Sequence, residues 1–267
     1  MTDMATTPGA TATHASGAMP APSTSSKGTR ILGAISLIGT ALVLLFAFVI
    51  SKPDAQLGES IRIMYVHVPT VTAAYLLMII NAGFCAVTLW KRSRFADTMA
   101  FATGQVGTLM LALTLITGAL WGRVTWNAFW VWDARLTTAA LLFLMYLGYL
   151  AVRSLGGPPE ARMVRSSIVG IAAACLIPVV HKSVEWWDSL HQGQTVLGKL
   201  KPEVSGQQYT TLMLAMVVAL CISAWLVLHR FRLSWLEDQL DDVGLDAALE
   251  ARRSEAAGVA INVGGAK

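Results

Sequence analysis

Residues 98–137 read TMAFATGQVGTLMLALTLITGALWG, followed at once by RVTWNAFWVWDARLT. The first twenty-five carry no charge. Crossing the hydrocarbon core of a bilayer takes about 20 predominantly apolar residues, with roughly 17 to 25 tolerated, so this run predicts a membrane-spanning helix. Across the junction, residues 121–137 hold four of the nine tryptophans. Indole is large and its N–H seeks a partner. Interfacial aromatic belts scatter such residues over several helix ends, whereas here they are concentrated beside one. The cluster is therefore read as a binding surface for a large planar ligand, half apolar and half charged.

The rest of the chain repeats the first half of that pattern. Of 267 residues, 55% are hydrophobic and 13% charged, and the mean hydropathy is +0.57. Soluble domains carry about 25% charged residues, so the chain is an integral membrane protein. Uncharged stretches fall at 31–50, 68–90, 98–122, 136–152, 166–180 and 204–228. The fifth is short and is expected to reach back through Met163 and Val164, with Arg162 and Arg165 snorkelling to the headgroups. The expected fold is all-α, a bundle of six transmembrane helices.

Three regions follow: a tail at 1–30, a membrane domain at 31–230 and a second tail at 231–267. The first is a Thr/Ala/Ser/Pro/Gly tract too poor in apolar residues to order itself. The run at 31–50 exceeds the length of a signal-peptide core and no A-x-A-like site follows it, so it is read as a retained anchor. The last tail is acidic, with Glu237, Asp238, Asp241, Asp242, Asp246 and Glu250, and is expected to be partly helical or disordered. Cys85, Cys175 and Cys221 are far apart in apolar runs and match no redox, zinc or haem-attachment spacing.

Orientation follows from Lys and Arg. Thirteen of the twenty lie in the first tail, in the segments 91–94 and 153–165 and from Arg230 onward, and seven lie around 51–67, 121–137 and 181–207. Both termini are therefore expected on the cytoplasmic side. The net charge of +4 reads as a topology signal and not as a nucleic-acid signature. By helix parity, the connections after the first, third and fifth spans then share the outer face. One carries the tryptophans, the second His67 in MYVHVP, and the third His181 and His191 in HKSVEWWDSLHQG.

Imidazole is a common axial ligand of haem iron, and a porphyrin needs a broad apolar face plus cations for its carboxylates. Arg123 and Arg135 are suited to that task. Asp133 suits orienting a neighbour, either Arg135 or a Trp N–H, and an Asp133–Arg135 pair that pins the loop accounts for it equally well. His67 and His191 are the preferred pair. Pro69 is read as opening a helix, which would hold His67 at the mouth of the bundle, and Gln192-Gly193 as a turn that presents His191. His181 fits either a supporting donor or a core histidine. A helix through 187–191 would place Trp187 and His191 on one face, extending the aromatic surface with Trp186.

These three separated motifs, in this order and with these spans between them, resemble the tryptophan-rich, haem-handling CcmC family of cytochrome c maturation. The likeness runs from the first span to the last and excludes both tails. Phe129 stands where a further Trp is common in that family. The resemblance implies non-covalent haem b bound on the periplasmic side of a bacterial inner membrane. Trp121, Gly122, Trp126, Trp130, Trp132, Asp133, Arg135, Leu136 and Thr137 would form the platform, with His67 and His191 as axial ligands. It further implies delivery to the haem chaperone CcmE, beside the CcmA–CcmB ATP-hydrolysing pair and the small subunit CcmD. No P-loop, G-x-S-x-G or nucleophile–base pair is present on the outer face, so the chain reads as a binding and transfer subunit and not an enzyme. An electron-transferring cytochrome b would need histidines at the centres of the spans, and a permease would need ionisable groups there. The six runs have neither.

Overall fold

A computed structural model describes residues 26–55, 57–191 and 206–264. The expectations for the tail before Ser26 and for Gln192-Gly193 lie outside those residues. Among the described residues six helical segments are long and apolar enough to cross a membrane, matching the six gaps between charges, and no strand is present.

Helix α1 (Lys27–Leu45) starts at a capping box: Ser26 Oγ accepts from the Thr29 N–H, and Thr29 Oγ1 accepts from the Ser26 N–H, satisfying two end donors. It widens into a π-helical turn at Phe46–Ile50, where the Ser51 N–H reaches back to the Phe46 carbonyl at 2.7 Å. Ser51 Oγ in turn shares a 2.7 Å hydrogen bond with Tyr65 Oη on α2 (Ile61–Lys91), fastening the end of the first span to the second.

Helix α2 begins eight residues before Pro69, contrary to the expectation that Pro69 opens it. Proline removes one ladder bond and crowds the carbonyl four residues back. Against that, the first turns bury Ile61, Met64 and Tyr65 against Ala47, Leu212 and Ala215. That apolar contact outweighs the local cost, and His67 sits inside a helix as a result.

Arg92 in the left-handed region and Ser93 as N-cap make a tight reversal, so α2 and α3 (Arg94–Thr125) pack side by side as antiparallel neighbours. Between them Asn81, fully buried, donates to the Ala100 carbonyl at 2.7 Å. Tyr146 of α4 (Ala134–Ser154) donates to the Met78 carbonyl at 3.2 Å. In a bilayer these bonds, with close packing of small residues, hold helices together where lipid is as apolar as leucine. Gly104 and Gly170 show the second device, since a Cβ at either would meet the Tyr149 ring, at 2.6 and 3.2 Å.

The fifth span is two helices, α5 (Pro159–Ala174) and α6 (Leu176–Trp186), broken at Cys175. The cause is Pro178, which has no N–H for the Ala174 carbonyl and whose ring crowds it. Helix α7 runs without interruption over Gly206–Gly264, so the acidic segment continues the sixth span. Arg94 holds Asp242 at 2.6 Å and Arg162 holds Asp238 at 3.2 Å, pinning that extension to the ends of α3 and α5. At the same end Arg153 and Asp97 form a buried ion pair between α4 and α3, with Nη2 to Oδ2 at 2.6 Å.

Candidate functional site

The tryptophan-rich segment is shorter as a loop than its sequence reads. Trp121, Gly122 and Arg123 complete the last turns of α3, and α4 starts at Ala134. The helix closes when the Trp126 N–H bonds the Gly122 carbonyl at 2.8 Å, after which Asn127 takes a left-handed φ of 57°. Gly122 is required here, because a Cβ would lie 3.1 Å from the Ala128 carbonyl and 3.3 Å from the Trp126 ring. Arg123 is committed to this turn. It donates to the Asn127 carbonyl at 2.8 Å and to the Asn127 side chain, and its guanidinium lies 5.7 Å from the Phe129 ring centre.

His67 meets the segment from α2. Its ring lies edge-on to Trp121 with centroids 5.7 Å apart, and Nδ1 is 3.2 Å from Thr117 Oγ1 on α3. The imidazole occupies space left by Gly118, whose Cβ would sit 3.0 Å from His67 Cε1. Gly118 and Gly122 are four residues apart and so share one helix face. One makes room for His67 and the other for Trp126.

His191 arrives from the opposite direction in sequence. Its ring lies edge-on to Trp126 at 6.3 Å. The segment that carries it is not helical, since Trp187 is already extended at φ −134°, ψ 155°. The shared helix face for Trp187 and His191 is therefore not formed, and Trp187 packs on Trp186 instead, at 5.9 Å. A tertiary bond explains the departure. Ser189 Oγ donates to Asp133 Oδ2 at 2.6 Å and accepts the His191 N–H at 3.1 Å. Asp133 uses its other oxygen, Oδ1, to cap α4 by accepting from the Leu136 N–H at 2.8 Å, and its carbonyl accepts from the Thr137 N–H. Among the described residues Asp133 forms no ion pair with Arg135. It orients Ser189, and through it the His191 backbone.

Arg135 instead reaches the His181 carbonyl at 3.2 Å, joining α4 to α6. His67 lies within electrostatic range of both His191 and Arg135. Trp130 and Trp132 form an edge-on pair at 5.7 Å, with Trp132 84% exposed at the rim. Leu136 and Thr137 contribute backbone donors to the Asp133 cap, and the Thr137 side chain faces outward.

Among the described residues, three buried donors on this surface have no acceptor: Trp121 Nε1, Trp130 Nε1 and Arg135 Nε. Buried polar groups are nearly always paired, so three unpaired donors between two histidines make this surface a candidate for an acceptor-bearing molecule. A haem fits that donor set: apolar rings for its faces, imidazoles for iron and N–H groups for its carboxylates. Thr117, Gly118, Asn127 and Ser189 escaped the sequence reading. The Gly-x₃-Gly spacing at 118 and 122 was the available signal for two of the contacts, whereas Ser189 had none.

Comparison with known proteins places the sequence. Residues 15–243 match the family model described as CcmC, heme exporter protein C. The heme exporter protein C of Haemophilus influenzae is 37% identical over 205 residues, covering 76% of this chain and 81% of that protein. The Escherichia coli (strain K12) protein of the same name is 30% identical over 194 residues, covering 70% and 76%. That of Bradyrhizobium diazoefficiens is 35% identical over 169 residues, covering 63% and 61%. The six spans, the tryptophan-rich turn between α3 and α4 and the match over most of the sequence lead to one conclusion: the chain belongs to the heme exporter protein C (CcmC) family.

Proposed function

We propose that this chain binds haem b non-covalently at the periplasmic face of a bacterial inner membrane and hands it to the haem chaperone CcmE. The CcmA–CcmB pair supplies ATP hydrolysis, and CcmD accompanies the complex. The chain itself makes and breaks no covalent bond of the haem. The observation that carries this reading is the pairing of His67 with Trp121 and His191 with Trp126 at the C-terminal end of α3, beside indole and guanidinium donors unpaired among the described residues.

In this reading His67 and His191 ligate the iron. Trp121, Trp126, Trp130 and Trp132 form the apolar platform, Trp187 widens it, and Gly122 keeps its turn tight. Arg135 holds a propionate, with Arg123 at the rim as a second cation. Asp133, through Leu136 and Thr137 on one side and Ser189 on the other, fixes the separation between the platform and His191. Hand-over requires that an imidazole let go while the platform still holds the ring.

Recording the optical spectrum of purified protein tests the ligand assignment. His67→Ala and His191→Ala should each change the low-spin spectrum of a two-imidazole iron while the protein still inserts, and added imidazole should restore it. A double variant with an unaltered haem spectrum removes the assignment.

A further inference from the structure

At the end of the bundle opposite the histidines, the seam between α3 and α7 carries a second, graded surface. Its deeper part is an open apolar groove of about 500 Å³ floored by Val106, Leu109, Leu226 and Leu233. Gln105 and Arg230 close that groove and are themselves joined by a hydrogen bond. Beyond Gln105 the seam opens into a cavity of about 290 Å³ with both signs of charge on its walls: Arg153 and Arg162 on one side, Glu237, Asp238 and Asp241 on the other.

Three of those charges are spoken for, because Arg153 holds Asp97 and Arg162 holds Asp238. The rest of the wall is not. Ser234 is 6% exposed and lines the cavity, yet among the described residues its hydroxyl has no partner, and neither has the buried Arg162 Nε. A buried hydroxyl left unpaired costs free energy unless something that the structure does not include bonds it.

The order of chemistry along the seam identifies that molecule. Moving out of the membrane along α7, the surface is apolar at Leu226, cationic at Arg230, hydroxylic at Ser234 and acidic at Glu237 and Asp241. By the helical rise, Glu237 and Asp241 lie about 4 to 10 Å beyond Ser234. A phospholipid with an ethanolamine headgroup has the same order: acyl chain, phosphate, then a primary ammonium two carbons further out. An anionic headgroup is attracted to basic pockets between helices, but here its outer end would meet carboxylates.

We infer that the α3–α7 seam is a binding site for an aminophospholipid of the leaflet on the Arg-rich side. One acyl chain lies in the groove along Leu109 and Leu226. The phosphate is held by Ser234 and the Arg162 Nε, and the ammonium by Glu237 and Asp241. This site stands apart from the haem reading and does not depend on it.

The test is to delipidate the purified full-length chain and expose it to phosphatidylcholine vesicles doped with either phosphatidylethanolamine or phosphatidylglycerol. Native mass spectrometry then counts the headgroups retained. Wild type should retain phosphatidylethanolamine about tenfold over either other class, the scale of one charge-assisted hydrogen bond. The double variant Glu237→Gln, Asp241→Asn should bring the three classes to parity with unchanged helical content. Leu109→Trp, which fills the groove, should lower retention of all three. The inference is overturned if wild type holds phosphatidylglycerol as well as phosphatidylethanolamine, or if the preference survives the double variant. Recovery of a bound polypeptide in place of lipid overturns it as well. If the double variant does not fold, the wild-type comparison alone decides.

Discussion

Ser189 Oγ donates to Asp133 Oδ2 at 2.6 Å across 56 residues of sequence, and the same hydroxyl accepts the His191 N–H. One carboxylate thereby sets both the first turn of α4 and the position of the His191 backbone. Ser189→Ala cuts this link without touching the helix cap. It should lower the haem retained per polypeptide about threefold to tenfold, the scale of one side-chain hydrogen bond to a charged group, with little change in thermal midpoint. Asp133→Asn keeps a good N-cap residue and should act in the same direction. The double variant should be no worse than the more damaging single, since both break the same connection. Additive losses in haem stoichiometry count against the link.

Gly118 gives a second test, built on space. Its Cβ would lie 3.0 Å from His67 Cε1, so Gly118→Val must displace the imidazole from Thr117. The cost of such overpacking is about 1–3 kcal/mol, and the displaced ligand should show as an altered haem spectrum. Gly83→Ala is the control, as nothing lies within 4 Å of its added Cβ. It should leave the spectrum alone and stabilise the helix by about 0.4–1 kcal/mol.

The Asp97–Arg153 pair is buried, with the residues 3% and 7% exposed. Removing one partner strands the other charge. Asp97→Ala should cost about 3–5 kcal/mol, read as a large fall in thermal midpoint in detergent. Combining Asp97→Leu with Arg153→Met should recover most of that loss, because an apolar pair of similar volume carries no stranded charge. A double variant as unstable as the single contradicts this account.

Helix parity makes a topological prediction. Reporters placed between α1 and α2, between α3 and α4, and after α6 should all report the side opposite to both termini. A reporter between α3 and α4 on the same side as the C-terminus is incompatible with the proposed periplasmic site.

The spans were readable because charge in hydrocarbon is costly enough to leave a clean trace. The gaps at 68–90, 98–122 and 136–152 fall inside α2, α3 and α4, whereas 166–180 is divided between two helices. What eluded the sequence was set by contacts between distant segments. Pro69 signals a helix start by local preference, yet burial of Ile61, Met64 and Tyr65 carries the helix through it. Spacing alone put Trp187 and His191 on one face, and a hydroxyl bonded across to Asp133 pulled that stretch out of the helix. The break at Cys175 has a local cause, Pro178, which the reading of 166–180 as one span passed over. Asp97 and Arg153 lie at the margins of two different runs, where each looks like a solvated terminus until the fold pairs them.

The two imidazoles stand on supports of unequal stiffness. His67 is embedded in the second turn of α2, with its neighbours tied by the main-chain ladder, whereas His191 lies in the non-helical stretch after α6, where its N–H bonds the Ser189 hydroxyl and its ring meets Trp126. In the proposed reading, a metal clasped between them would part first from the imidazole that no helix carries. The helical ligand would then remain as a pivot, and the cargo would swing away from the aromatic shelf on the His191 side. On that reading, departure would take its direction from the backbone.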